Sequence, residues 1–92
     1  MLNIHEMQVF LVAAETENFS ETGRQLSISQ PAVSMQIRAL EDSLGMELFH
    51  RSGRHIALTE AGRALVPMAR DLVTRAVQIE ETMVSIQGSI VG

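Results

Sequence analysis

Residues 27–41, SISQPAVSMQIRALE, decide how the chain is read. Ser-Ile-Ser is a polar turn. Ser29 is placed to cap a helix, and Pro31 is tolerable because it falls in that helix's first turn, where its missing N–H is not needed. Val33, Ile37, Leu40 and Leu44 then recur at steps of four, three and four, which makes one narrow apolar stripe. Gly45 is the expected stop. At 100° per residue the opposite face carries Pro31, Met35, Arg38 and Asp42, with Ser34 at its edge and Gln30 at the N-terminal tip. That outer face is polar but carries little charge, and its groups are suited to bonding flat polar edges.

Upstream, Asn3 followed by Glu6 predicts a helix start. Ile4, Met7, Phe10, Leu11 and Ala14 carry the helix to about residues 15–17, where Asn18 tolerates a left-handed stop. Ser20 is the next candidate cap, opening a short helix over ETGRQL with Leu26 inward. Two helices joined by a three-residue turn, the second amphipathic, have the arrangement of a helix-turn-helix over about residues 19–38. Downstream, LFHRSGRHIAL reads as a small hairpin, with Leu48 and Phe49 as core candidates and Ser-Gly at the turn between two short extended arms that end in Ile56 and Leu58. A hairpin in that place is a wing. Thr59 caps the final helix, with Glu60 in its first turn.

That final helix is expected over residues 59–87, roughly 40 Å at ~1.5 Å per residue. Leu65, Ala69, Leu72, Ala76, Ile79, Met83, Ile86 and Ile90 alternate steps of four and three, widened by Val66, Val73, Val77 and Val84. Sustained heptads argue for a helix–helix seam, and a domain over residues 1–58 is too small to cover so long a stripe. A second copy is the expected cover, with Leu65, Ala69, Leu72, Ala76, Ile79, Met83 and Ile86 at the seam. Pro67 should bend the helix or loosen one hydrogen bond.

Composition bounds the rest. Apolar residues are 46% and charged ones 20%, the balance of a small globular domain. Cysteine is absent, which removes disulfides and thiolate metal sites and makes a reducing cytoplasm the natural setting. No apolar run is long enough for a membrane span. The net charge of −4 is unevenly spread: residues 1–21 hold four glutamates and no arginine, while 22–58 hold four arginines against three acids. All basic residues are arginines, whose planar fork suits phosphate or guanine. A local field, not the total, steers a polyanion.

These features combine into one chemical reading. In a helix-turn-helix the second helix enters the major groove with its N-terminal residues nearest the bases. Gln30 can bond an adenine edge twice, Ser34 can bond any base, and Pro31 and Met35 can lie against a thymine methyl. Ser29 and the free amides of the helix start can hold a phosphate. Arg38 can reach a phosphate or a guanine; Arg51 and Arg54, on the wing, supply backbone attraction, with Arg54 at the tip able to enter a narrow minor groove. Glu41 and Asp42 are expected where the helix leaves the groove. His50 and His55 have no carboxylate or thiol partner nearby, so they read as polar surface and no metal or other cofactor is expected. Neither a nucleophile–base pair nor a glycine-rich phosphate loop is present, so enzyme chemistry has nothing to stand on. A protein-interaction module, using the heptad helix alone, is the competing reading.

The stretch from NFSETGRQLSISQPAVSMQIRALEDSLGMELFHRSGRHIALTEAGRAL resembles the N-terminal winged helix-turn-helix of LysR-type transcriptional regulators. The resemblance runs through SQPAVSxQIxxLExxLGxxLFxR, the wing SGRxIxLTEAG and the long helix that follows. It implies a mostly α fold: a winged helix-turn-helix with a β-hairpin wing and a C-terminal dimerisation helix. It implies a bacterial regulator of promoter transcription whose linker helices pair antiparallel and whose dimers associate into tetramers. Base contacts from Gln30, Pro31, Ser34 and Met35 and a minor-groove contact from Arg54 are implied as well. Met35 stands where the family often has arginine or another polar residue, and Thr22-Gly23 where it usually has an Ala-Ala pair. Family members also carry a ligand-sensing domain, so residues 88–92 are expected to be a hinge into an effector-binding domain.

Overall fold

In the computed structural model residues 1–53 and 55–91 are described, with backbone alone at Val91. Four helices and one hairpin follow in the order α1 (Ile4–Thr16), α2 (Phe19–Leu26), α3 (Gln30–Leu44), β1 (Phe49–Ser52), β2 (His55–Leu58) and α4 (Glu60–Val91). The strands pair antiparallel with Phe49 opposite Leu58 and Arg51 opposite Ile56. The chain is a mostly helical winged helix-turn-helix, as its patterning predicts.

Each helix start has a chemical cause. Asn3 Oδ1 accepts from the amides of His5 and Glu6, at 2.8 and 3.1 Å. Asn18, expected to end α1, instead caps α2 by accepting from Glu21 N at 2.8 Å. The left-handed stop falls one residue earlier, on Glu17 at φ 55°. Ser20 therefore lies inside the first turn of α2 and caps nothing. Asn-x-x-Glu occurs at both helix starts, at Asn3 and Asn18, and is the signal that locates both. Ser29 accepts from Ala32 N, and Gly45 closes α3 at φ 70°.

The core is built from Met7, Val9, Phe10 and Ala13 of α1, Val33, Ile37 and Leu40 of α3, and Leu48, Phe49 and Ile56 around the wing. Leu65 and Ala69 of α4 complete it. Phe49 stacks at 5.6 Å from both Phe10 and Phe19, edge-on to Phe19. The buried face of α1 differs from the predicted stripe: Ile4 is exposed, Leu11 and Ala14 are half-buried, and Val9 and Ala13 are fully covered. Helix α1 packs against α2 and α3 on one side and α4 on another, so its buried arc is wider and turned from a one-sided stripe.

Two glycines mark where backbones approach too closely for any side chain. A Cβ on Gly23 would lie 2.6 Å from the Ile28 carbonyl oxygen, in the turn before α3. One on Gly62 would collide with the Leu48 carbonyl oxygen and come within 2.8 Å of Leu58 Cδ2. Glycine at residue 23 lowers helix propensity by up to ~1 kcal/mol. The close approach of the turn explains why it stands there. Its neighbour Thr22 is fully buried, its hydroxyl 2.8 Å from that of Thr16 and 2.9 Å from the Asn18 carbonyl. The Thr-Gly pair thus ties the α1–α2 corner to the turn.

Helix α4 is 32 residues long and continues through Pro67 without a break. It spans roughly 48 Å at ~1.5 Å per residue. Residues 88–91, read from sequence as the start of a hinge, extend this helix, and Gly92 lies outside the described residues. Only the near half of α4 rests on the domain. Two of the seven residues expected at a seam, Leu65 and Ala69, are buried in this chain's own core. Beyond Ala76 nothing in the described residues covers the stripe.

Candidate nucleic-acid interface

The turn Ser27–Ser29 delivers α3 so that its inner stripe meets α1 and α2, which leaves its opposite side free. Ser27 makes the reversal with a left-handed backbone, φ 58°, and Ile28 N donates to the Gly23 carbonyl at 2.9 Å. Val33, Ile37 and Leu40 are fully buried and Leu44 half-buried, as predicted. Ser29, Gln30, Pro31, Met35 and Arg38 are exposed, Met35 at 73%, and Ser34 is half-buried beside them. An exposed methionine this far out of its core contributes nothing to folding by burial. Six of the eight proposed contact residues therefore share one uncovered face.

This face borders an open groove of about 640 Å³, walled by Asn18, Phe19 and Ser20 of the α2 start, Gln30, Ser34 and Arg38 of α3, and Arg51, Gly53 and Ile56 of the wing. Within it Gln30 Nε2 donates to Ser34 Oγ at 2.7 Å. Arg38 makes no hydrogen bond or ion pair among the described residues, so its guanidinium is available to an anion. The wing closes the groove: Gly53 turns at φ 61°, which suits a tight two-residue connection. Arg54 lies outside the described residues.

Arg51 departs from the simple picture. Its guanidinium donates to Glu41 Oε1 at 3.0 Å and lies 5.6 Å over the Phe19 ring. The other oxygen of Glu41 accepts from Leu48 N at 2.7 Å. Glu41 is itself buried, rather than exposed where the helix leaves the groove. One carboxylate thus ties the end of α3 to the start of β1 and to Arg51, and fixes the wing relative to the helix. Arg51 keeps its outer edge on the groove, but its charge is partly spent on this clamp. Sequence reasoning missed Glu41, although its position four residues after Ile37 puts it beside the apolar stripe. The second tie is Ile56 N donating to the Glu17 carbonyl at 3.4 Å.

The remaining arginines are more ordinary. Arg24 pairs with Glu21 at 2.7 Å, largely in solvent, and Arg63 Nη1 donates to the Leu58 carbonyl. No helix among the described residues is long and apolar enough to cross a membrane.

Comparison with known proteins places this geometry. Residues 4–63 match the family model for the bacterial regulatory helix-turn-helix protein, lysR family. An uncharacterized HTH-type transcriptional regulator of Azotobacter vinelandii is 40% identical over 99% of this chain and 63% of its own length. The RuBisCO operon transcriptional regulator of Allochromatium vinosum is 37% identical over 95% of this chain and 29% of its own. The chain therefore spans less than two thirds of these curated relatives. Among solved structures, the CbnR DNA-binding domain in complex with DNA superposes with a TM-score of 0.89 at 31% identity, covering 94% of this chain and 99% of that one. Vibrio fischeri DarR in complex with DNA gives 0.86 at 32% identity over 98% of this chain and 30% of its own. These relatives are transcriptional regulators and not enzymes. With a family model spanning residues 4–63 and a winged helix-turn-helix of matching shape, the chain belongs to the LysR family of bacterial regulatory helix-turn-helix proteins.

Proposed function

We propose that this chain binds double-stranded promoter DNA in a sequence-specific manner, with α3 in the major groove and the wing at the neighbouring minor groove. The observation that carries the reading is the uncovered face of α3. A helix whose inner side is fully packed presents Gln30, Pro31, Ser34, Met35 and Arg38 to solvent beside a groove closed by the wing. Gln30 and Ser34 read base edges, Pro31 and Met35 contact thymine methyls, and Ser29 with the first amides of α3 holds a phosphate. Arg38 engages the backbone or a guanine. Arg51 positions the wing and lends its outer edge to a phosphate; Arg54 enters the minor groove. The DNA complexes of CbnR and DarR support this pose by their likeness of shape.

The active form is a homodimer through α4, and in a full-length protein a tetramer. The seam is formed by Leu72, Ala76, Ile79, Met83 and Ile86, since Leu65 and Ala69 are already spent in the core. Residues 1–58 form the reading domain and 59–87 the linker. An effector-binding domain that senses a small molecule belongs to the whole protein, which acts in the cytoplasm as a regulator of transcription.

Selection of bound duplexes from a random pool tests the reading and yields the site. Anisotropy of the recovered duplex across a salt series should then give a straight fall of log affinity with log salt. Absence of binding to any duplex at low salt would leave the competing reading, a protein-interaction module built on α4.

A further inference from the structure

The geometry points to Gln30 and Ser34 acting as one reading unit, in which Ser34 is a positioning residue that orients the Gln30 amide before DNA arrives. The inference rests on the proposed docking of α3 and deepens it. Gln30 is the first residue of α3, exposed, and has three side-chain torsions to settle on binding. Pro31 immediately after it has its φ fixed near the helical value and suits the first turn of α3. The far end of Gln30 is tied by the 2.7 Å bond from Nε2 to Ser34 Oγ one turn along. Ser34 is half-buried and sits on a helix whose other side is locked in the core, so the hydroxyl is a fixed anchor.

The consequence is chemical as well as entropic. A primary amide carries two N–H donors and one carbonyl acceptor. With one N–H given to Ser34, the other N–H and Oε1 remain, side by side. A donor beside an acceptor is the complement of adenine's major-groove edge, which offers N7 as acceptor and N6–H as donor. A free glutamine would have to be ordered by the base itself. Here the ordering is done in advance, the usual source of discrimination gained without a new contact. The Ser34 hydroxyl keeps its own proton and can still bond a neighbouring base or a water, so it serves two ends at once.

Two measurements on the 92-residue chain test this. In DNA-free protein, one side-chain amide proton of Gln30 should exchange with water more slowly than those of fully solvated glutamine side chains. Ser34→Ala should abolish that slowing and Ser34→Thr should preserve it. An unchanged exchange rate in Ser34→Ala would overturn the inference whatever DNA binding shows. With the duplex recovered from the random pool, a double-mutant cycle is read at the base pair where Gln30→Ala relaxes preference. Ser34→Ala should reduce discrimination at that same pair about fivefold, the worth of one neutral hydrogen bond. Ser34→Thr should restore it. On the Gln30→Ala background, Ser34→Ala should leave discrimination at that pair unchanged. Losses that multiply independently, or an effect of Ser34→Ala confined to a different base pair, would sink the coupling while leaving α3 in the major groove. Failure of the wild-type chain to bind any duplex would sink both.

Discussion

The outer face of α3 and the far half of α4 are both left uncovered by the chain that carries them, and they are opposites in chemistry. On α3, Gln30, Ser34 and Arg38 stand at the solvent edge with only Pro31 and Met35 as apolar neighbours. On α4, Ile79, Met83, Val84, Ile86 and Ile90 are 47–79% exposed with no core beneath them. A polar face loses nothing by waiting in water and gains from any partner with fixed donors and acceptors. An apolar stripe of this length carries a standing cost in water, at about 25 cal/mol per Å² of apolar surface, and only another apolar surface removes it. The two faces therefore call for different partners, one offering fixed donors and acceptors and the other offering an apolar surface of its own.

Five substitutions would break or sharpen this contrast. Within α4, Ile79→Glu places a charge in the proposed seam without touching the domain core. Sedimentation should show loss of the dimer, with at least about a hundredfold weaker binding to a two-half-site duplex, a loss of avidity, and an unaltered helical CD signal. Persistence of the dimer would remove the seam from that stripe. Leu65→Ala, fourteen residues earlier on the same helix, should instead destabilise the domain by about 3 kcal/mol, because a buried leucine leaves a cavity, and denaturant unfolding would register it.

Glu41→Ala should cost about 3 kcal/mol, since it leaves a buried amide and a guanidinium without their shared acceptor. Binding to specific and scrambled duplexes should fall together, as the wing loses its fixed angle to α3; a loss confined to the specific duplex would assign Glu41 a reading role. Gly62→Ala comes next, at about 2 kcal/mol of destabilisation from overpacking against the Leu48 carbonyl. Alanine in an unconstrained helix would raise stability instead, so the sign alone decides. The smallest change in stability belongs to Gln30→Ala: a melting temperature within error of wild type, but ~1–3 kcal/mol less discrimination at one base pair of each half-site. Equal losses on specific and scrambled duplexes would end its role as a reader.

How far the sequence could be read depends on what each residue answers to. The α3 stripe was legible because Val33, Ile37 and Leu40 meet a single surface, so their spacing reports one direction. Helix α1 is covered from two sides, and there a single stripe misassigned Ile4 and overlooked Val9. The caps were legible in type but misplaced by two residues at α2, because Asn18 can serve equally as a stop or a start. The long apolar repeat of α4 was plain, but repetition does not reveal where the domain's own covering ends. That boundary, between Ala69 and Ile79, follows from the tertiary packing of α4 on α1 and β2. For the candidate interface, the outer residues of α3 followed from helical geometry. The Glu41–Arg51 tie did not, since it joins residues ten apart through a chain reversal that periodicity cannot see.

The contact between Gly23 and the Ile28 carbonyl has an evolutionary corollary. Helix α3 is seated by main chain against main chain, so its tilt does not depend on which side chains decorate its outside. Positions such as Gln30 and Met35 are then free to vary from one descendant to another without remaking the frame that presents them. A lineage built on this joint can change its vocabulary one letter at a time while keeping the same hand to write with.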